Sequence, residues 1–317
     1  MKKGKLMSNR FKVSIIGAGN VGSSCAQRIA ERDYADIVLL DIVEGLPQGK
    51  ALDIQESGPV LGFDTCLTGT NSYAETAGSD VVVITSGVAR KPGMSRDDLL
   101  LTNKEIIGEV TRNAVSQSPD CVVIVATNPV DAMVYLALHE SKFSRNRVFG
   151  LSGVLDTARL SSFIAEELDV SVEDVAACVL GEHGRSMVLV PRLTTVNGTP
   201  ITEILPAETV DRLVERTVGG GAEIVGLLKT GSAFYAPSAA IAQMVEAVLL
   251  DKKRILPCAV RLDGEYGVMD TVISVPVKLG RNGVEQVIDL QLTEAERTAL
   301  TDSVKSVQEL IKVMKLE

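Results

Sequence analysis

Two short segments carry side chains suited to proton transfer and to binding an acid. His183 lies in the sequence Gly-Glu-His-Gly of residues 181–184, and histidine can donate or accept a proton near neutral pH. Asp156 and Arg159 are three residues apart in a predicted helix, so they share one helix face. A guanidinium can bind a planar carboxylate through two parallel hydrogen bonds. These residue types suit acid–base chemistry on an anionic substrate.

Two other segments place polar side chains at the ends of predicted strands. Residues 85–96 begin at a strand end and continue as a loop that carries Arg90 and Arg96. Residues 125–131 read Val-Ala-Thr-Asn-Pro-Val-Asp, in which Pro129 ends a strand and leaves Asn128 at the carboxyl edge of the sheet. Since doubly wound sheets bind ligands at this edge, we expect both segments to contact a ligand.

A glycine-rich motif with the spacing G-x-G-x-x-G follows the first predicted strand and precedes a predicted helix. Its glycines allow a tight turn and close approach of a pyrophosphate, which then faces the helix N-terminus. Asp41 ends the next strand, where a carboxylate accepts hydrogen bonds from the ribose hydroxyls and repels a 2′-phosphate, so NAD is favoured over NADP. The alternatives are an FAD site, or glycines that only form a turn. The expected cofactor contacts are Gly17, Gly19, Asn20, Val21, Gly22 and Asp41.

The elements that position these residues follow from hydrophobic periodicity. In the first half, β-branched runs alternate with helical patterns, with strands predicted at 11–16, 37–40, 81–85 and 121–126 and a helix near 21–31. After about Gly150 the pattern is α+β, with helices at 154–167, 207–229, 238–249 and 294–314 and hairpins at Asn197-Gly198 and Asn282-Gly283. The sequence predicts an α/β fold: a Rossmann-type doubly wound parallel sheet in residues 1–150, followed by an α+β substrate-binding and catalytic domain in residues 151–317.

Charge and composition exclude several classes of function. A formal net charge of -9 argues against nucleic-acid binding, and the apolar runs are too short to span a membrane. The five cysteines lie far apart, mostly in apolar stretches, which favours buried reduced thiols and a cytoplasmic protein. The two histidines have no metal-ligand spacing to each other or to cysteine, so no metal site is expected.

Together, these motifs resemble the lactate/malate dehydrogenase family, in particular its lactate-dehydrogenase-like malate dehydrogenases, nearly from end to end. The resemblance implies reversible hydride transfer between a 2-hydroxy acid and its 2-keto acid, with NAD as cofactor. It makes His183 the proton donor and acceptor, with Asp156 fixing its tautomer and stabilising the imidazolium. By the same resemblance, Arg159 binds the C1 carboxylate of the substrate, and Arg96, on a mobile loop, polarises the reacting carbonyl.

The resemblance also assigns the residue that selects the substrate. Arg90 corresponds to a position where family members that act on pyruvate carry an uncharged amide. A guanidinium there would neutralise the second carboxylate of oxaloacetate and, when desolvated and unpaired, would reject pyruvate. The expected substrates are therefore malate and oxaloacetate.

Further expectations concern the cofactor and the assembly. Asn103 matches a family position that contacts the nicotinamide half of the cofactor, and Val125, Thr127 and Asn128 are expected to contact the cofactor as well. Asn128 is also expected at the substrate. The family forms dimers and tetramers, so a homodimer or homotetramer is expected.

Two alternatives remain. An L-lactate dehydrogenase would share all the catalytic residues named above and would differ mainly at Arg90 and in the pocket segment 231–236. A non-catalytic NAD-binding sensor could use the same fold, because a fold does not determine a function. The set of Asp156, Arg159 and His183 argues against the sensor, since a binding protein needs no oriented proton donor.

Overall fold

A parallel sheet occupies the first half of the chain. The structure, a computed structural model, describes residues 10–88 and 94–316. The strands of this half are β1 (Phe11–Ile16), β2 (Ala35–Leu40), β3 (Leu67–Thr70), β4 (Val81–Ile84), β5 (Val122–Val125) and β6 (Val148–Gly150). They pair in parallel in the order β3-β2-β1-β4-β5-β6. The predicted doubly wound α/β fold is confirmed.

Helices cover both faces of this sheet, and for that reason β4 and β5 are buried along their whole length. They are α1 (Asn20–Ala30), α2 (Leu46–Leu61), α3 (Arg96–Gln117) and α4 (Val130–Ser141). The chain winds outward from β1 in one direction and from β4 in the other, so a crevice opens at the carboxyl ends of these two adjacent strands. The glycine motif and the loop after β4 both begin at this crevice.

The second half is a mixture of helices and antiparallel strands. Its helices are α5 (Gly153–Leu168), α6 (Ile201–Ile204), α7 (Ala207–Leu228), α8 (Tyr235–Leu249) and α9 (Glu294–Met314). Its strands are β7 (Val175–Ala176), β8 (Val179–Gly181), β9 (Met187–Leu189), β10 (Thr195–Val196), β11 (Thr199–Pro200), β12 (Arg254–Asp263), β13 (Met269–Gly280) and β14 (Gly283–Val287). No helix within the described ranges is long and apolar enough to cross a membrane.

Both predicted hairpins form, one of them with a shifted turn. Asn197 and Gly198 link β10 to β11, and both have positive φ, as a two-residue hairpin turn requires. In the second hairpin Gly280 pairs with Gly283, so the loop consists of Arg281 and Asn282 and lies one residue earlier than predicted.

The two halves share one sheet and a common hydrophobic cluster. Gly150 of β6 pairs with Ala259 of β12, which joins the parallel sheet to the antiparallel strands. The largest apolar cluster includes buried residues of both halves, for example Val13 and Val83 from the first and Ile273 and Val304 from the second. Packing across the junction therefore fixes the second half relative to the crevice at the ends of β1 and β4.

All five cysteines are free thiols. Burial raises the pKa of Cys25 and of Cys121 to about 12, which keeps these thiols protonated. Cys66 is exposed, so the expectation of a buried thiol is wrong at that position. It directly precedes β3, the edge strand of the sheet, where cover by neighbouring elements is thinnest.

Candidate active site

The turn between β1 and α1 is shaped by its glycines. Gly17 has a φ of +111°, and its N–H donates to the carbonyl of Leu40 at 2.7 Å. A Cβ on Gly22 would lie 1.9 Å from the carbonyl oxygen of Gly17, so the helix can pack this closely only with glycine there. A Cβ on Gly19 would meet no atom within 4 Å, which leaves the backbone open on that side.

The adjoining helix and strand supply the groups that a dinucleotide needs. α1 begins at Asn20, followed by Val21, and no side chain accepts a hydrogen bond from the first N–H groups of the helix. These N–H groups can therefore bind phosphate. Asp41 follows β2, and its carboxylate accepts N–H groups from Ala18 at 2.7 Å and from Val43 at 3.0 Å. An ionised carboxylate can accept about four hydrogen bonds, so the carboxylate of Asp41 can still accept hydrogen bonds from ribose hydroxyls.

A cavity of about 310 Å³ lies beside these groups, lined in part by Gly17, Gly19 and Asp41. The donor set and the open backbone fit a dinucleotide.

Beside the crevice, His183, Asp156 and Arg159 form one connected group. The loop after β8 carries His183, and its Nδ1 lies 2.7 Å from Oδ2 of Asp156. Nη1 of Arg159 donates to the other oxygen of the same carboxylate at 3.2 Å. Asp156 is buried in the first turn of α5, which places it and Arg159 on one face. Because Nδ1 is held by Asp156, Nε2 is the ring nitrogen that can exchange a proton with a ligand.

The surroundings of His183 raise its pKa above the ordinary value for histidine. Burial alone would lower the pKa, because it disfavours the charged imidazolium. The charge and hydrogen bond of Asp156 raise it, and the charge of Asp131 adds to this, while Arg159 acts in the opposite direction. The imidazolium therefore persists to a higher pH than in an exposed histidine.

A second cavity, of about 260 Å³, is lined by Asn128, Arg159 and His183 together with Ser232 and Ala233. Nε of Arg159 is buried without a hydrogen-bond partner among the described residues. Since Nη1 is committed to Asp156, the edge of the guanidinium formed by Nε and Nη2 is the one that can bind both oxygens of a carboxylate. The cavity thus combines a proton donor, a carboxylate clamp and an amide.

Arg96 directly follows the segment between β4 and α3, and the sequence of that segment includes Arg90. Arg96 is the first residue of α3, and its guanidinium binds the carboxylate of Glu182, the residue next to His183. The hydroxyl of Ser186 donates to the other oxygen of Glu182. Arg96 is therefore close to the site but is paired with protein rather than lining the cavity. Arg90 lies outside the described residues, so its contact with the substrate stays a prediction.

The remaining expected cofactor contacts lie in α3, in β5 and in the loop after β5. The buried amide of Asn103 accepts the N–H of Val88 at 2.9 Å and donates to the carbonyls of Val88 at 3.2 Å and Asn128 at 2.7 Å. Asn103 thus ties the loop after β4 to the loop after β5 through its side chain. Thr127 is buried and donates to the carbonyl of Ser86.

Val125 is the last residue of β5 and is fully buried in the apolar core, so its side chain lines neither cavity. Any contact of Val125 with a cofactor would use its backbone. Asn128 is exposed near the end of the loop between β5 and α4, and it lines the second cavity.

Three residues at the site were given no role in the sequence analysis, although two of them lie in the segments named there. Asp131 is buried and accepts the backbone N–H of His183, and Glu182 pairs with Arg96. Lys50, from α2, donates to the carbonyl of Ala18 at 2.8 Å and brings an ammonium group to the glycine turn. The signal for Asp131 and Glu182 was their position in the Asn-Pro-Val-Asp and Gly-Glu-His-Gly segments. Lys50 has no local signal.

Within residues 10–88 and 94–316, no group of three or more His, Cys, Asp or Glu side chains could hold a metal ion.

Comparison with known proteins finds one family for both halves of the chain. Residues 11–150 match the lactate/malate dehydrogenase NAD binding domain, and residues 153–317 match the lactate/malate dehydrogenase alpha/beta C-terminal domain. The chain is 56% identical to a malate dehydrogenase of Heliobacterium modesticaldum over 96% of this chain and 98% of that protein.

Solved structures show the same overall similarity. A malate dehydrogenase from Salinibacter ruber has a TM-score of 0.93 and 52% identity, over 96% of this chain and 98% of that one. A lactate dehydrogenase from Cryptosporidium parvum, solved with lactic acid and β-nicotinamide adenine dinucleotide, has a TM-score of 0.95 at 38% identity, over 98% of this chain and 100% of that one. The backbone is thus common to both activities, and the chain belongs to the lactate/malate dehydrogenase family.

Proposed function

We propose that the chain catalyses the reversible, NAD-dependent interconversion of (S)-malate and oxaloacetate. The observation that carries this proposal is the His183–Asp156 pair facing the same cavity as Arg159, beside a crevice that fits a dinucleotide. Relatives at 53–57% identity over most of the chain that carry the name malate dehydrogenase support the choice of substrate.

Each side chain has a task in the reduction of oxaloacetate. When bound, the nicotinamide supplies the hydride in reduction and accepts it in oxidation. Arg159 holds the C1 carboxylate and so fixes the orientation of the keto group. His183, protonated, donates its proton from Nε2 to the carbonyl oxygen, and Asp156 stabilises the imidazolium beforehand. In malate oxidation, neutral His183 accepts the proton of the hydroxyl group.

Arg96 completes the site by moving. We infer that its guanidinium leaves Glu182 when substrate binds and then polarises the reacting carbonyl. Its exposed side chain and its place next to the loop after β4 support this movement. Arg90, from the segment between β4 and α3, then faces the second carboxylate of the substrate.

The raised pKa of His183 determines how the two directions depend on pH. Reduction of oxaloacetate needs the protonated ring of His183 as proton donor. For that reason kcat/KM for reduction falls as the pH rises through the pKa of His183. Malate needs the neutral ring, so kcat/KM for oxidation rises over the same interval.

The proposed activity is tested by offering oxaloacetate and pyruvate separately to the purified protein and following NADH absorbance. Rapid oxidation of NADH with oxaloacetate and little with pyruvate is the expected result. The reverse preference would make the chain a lactate dehydrogenase. Tight NADH binding without turnover of either acid would favour the sensor.

The choice of NAD over NADP is tested at Asp41. We expect Asp41→Asn to lower kcat/KM for NADH by about 10-fold or more, because hydrogen bonds to a charged acceptor contribute about 1.5–3 kcal/mol. The ratio of NADPH to NADH activity should rise, since the repulsion of a 2′-phosphate is removed. Asp53→Asn removes the same charge at an exposed position of α2 and should change neither value. An unchanged cofactor ratio in Asp41→Asn would contradict the assignment.

Substrate selection is tested at Arg90. We expect Arg90→Gln to shift the preference from oxaloacetate toward pyruvate by at least about 30-fold in kcat/KM, the equivalent of losing about 2 kcal/mol from one charged contact. The comparison variant is Lys91→Gln, which removes a charge from the neighbouring position of the same loop and should leave the preference unchanged. Equal shifts in both variants would mean that the net charge of the loop, and not Arg90, selects the substrate.

We further propose that the protein is a cytoplasmic homodimer or homotetramer, divided into an NAD-binding domain of residues 1–150 and a substrate-binding domain of residues 151–317. Exposed apolar side chains on α2 and α7, among them Val60 and Leu227, support self-association. Five free thiols support a reducing compartment.

A further inference from the structure

Asp131 is a buried carboxyl group directly behind the proposed proton donor. It is the second residue of α4 and is 2% exposed. Its Oδ2 accepts the backbone N–H of His183 at 2.9 Å, whereas its Oδ1 has no hydrogen-bond partner among the described residues. Since an unpaired buried carboxylate is costly, a group of this kind needs a compensating charge nearby.

The charged groups around His183 indicate which positive charge can compensate the carboxylate of Asp131. Asp156 and Arg159 of α5 are paired with each other, and Glu182 on the same segment as His183 is paired with Arg96 of α3. Asp131 of α4 has no such arginine or lysine partner among the described residues. The other neighbours do not titrate: α7 and α8 contribute Val218, Gly221 and Pro237, and α9 contributes the hydroxyl of Ser303. The imidazolium of His183 is the positive charge that acts on Asp131, and it lowers the pKa of that carboxyl group.

We propose that Asp131 is a positioning residue for proton transfer, which fixes the backbone of His183 and supplies a second negative charge behind its imidazolium. This role rests on the function proposed above. The imidazole ring of His183 would then be influenced by two carboxylates, one from α4 and one from α5. Asp156 binds the ring itself, and Asp131 binds the backbone that carries it.

The titration of Asp131 agrees with this arrangement. Burial raises the pKa of Asp131 to about 7, with contributions from the nearby charges of Glu182 and Asp156, while the backbone N–H and the charge of His183 lower it. Protonation of His183 favours ionisation of Asp131, and the two groups titrate as a coupled pair.

Two variants separate the charge of Asp131 from its hydrogen bond. Asp131→Asn keeps a carbonyl oxygen for the N–H of His183 and removes the charge, whereas Asp131→Ala removes both. In each variant we expect the pH midpoints of kcat/KM for oxaloacetate reduction and for malate oxidation to move to lower pH by about one unit, because one nearby negative charge is lost. Asp131→Ala should also lower kcat at the optimum. NADH affinity should stay unchanged in both.

A merely structural role would lower activity in both variants without moving either midpoint, and that result would overturn the proposal. Failure of both variants to fold would overturn it as well, because Asp131 would then serve stability.

A second readout does not depend on turnover. The chain has only two histidines, so imidazole NMR signals can be assigned with a His139→Gln variant. The titration midpoint of His183 should fall in Asp131→Asn relative to the unmodified protein. If the unmodified protein turned over neither acid, the proposed function would fail, and this titration would still decide whether Asp131 acts on His183.

Discussion

We expect His183→Ala to lower turnover of oxaloacetate by about 100- to 10,000-fold, the range associated with losing a general acid. The hydride donor and Arg159 stay in place in this variant, but no proton is delivered to the carbonyl oxygen. The affinity for NADH should be unchanged, because His183 belongs to the substrate cavity and not to the glycine turn. Steady-state kinetics and NADH fluorescence titration measure the two quantities.

His139→Ala is the matched control, since it removes the other histidine of the chain at a position near the end of α4. We expect near-normal turnover there. Normal turnover in His183→Ala would show that another group delivers the proton, and the mechanism would have to be abandoned. Weak NADH binding in that variant would point to a wider structural defect.

Changing Arg159 should have the second large effect. We expect Arg159→Ala to lower kcat/KM for oxaloacetate by about 30- to 4,000-fold, the equivalent of losing about 2 to 5 kcal/mol from a buried charge pair. Arg159→Lys keeps the charge but cannot offer the two parallel donors of the Nε and Nη2 edge, so it should recover only part of the loss. Added guanidinium should raise the activity of Arg159→Ala toward that of the unmodified protein.

The control for this series is Arg192→Lys, an arginine that binds Glu296 far from the cavity. It should leave kcat/KM unchanged. If Arg159→Lys were fully active, a single positive charge would be enough for substrate binding, and the two-point contact with the carboxylate would be excluded.

The parts of the molecule that sequence could predict are those in which the signal is local. The glycine motif, its flanking strand and helix, and Asp41 all lie within one βαβ unit, and the structure brings them to one crevice. The final helix, Glu294–Met314, has a regular apolar face and a capping box at Thr293, so its bounds were predicted without error.

Weak periodicity and tolerated prolines account for the missed or shifted helices. α2 was not predicted, because Gly49, Gly58 and Pro59 interrupt its apolar pattern. α8 begins at Tyr235, three residues before the predicted start, since Pro237 is accommodated in the first turn, where its missing N–H costs nothing.

Charges that meet through tertiary packing could not be predicted in the same way. Asp131 and His183 are 52 residues apart, and Arg96 and Glu182 are 86 apart, so no periodicity connects them. Asn103 could be matched to a family position, but its hydrogen bonds to Val88 and Asn128 depend on how two loops meet. The candidate site was thus predictable in its residue types and not in its supporting contacts.

The core shared by the two halves bears on how this chain can be recombined. Because Val13 and Val83 belong to the same apolar cluster as Ile273 and Val304, the two halves are packed to match each other. A chimaera that joins the first half of this chain to the second half of a relative would place unmatched side chains in close-packed space, at a cost of about 1–3 kcal/mol for each overpacked position. Exchange of single loops at the crevice, which leaves that cluster intact, is the route by which specificity can be changed without rebuilding the interior.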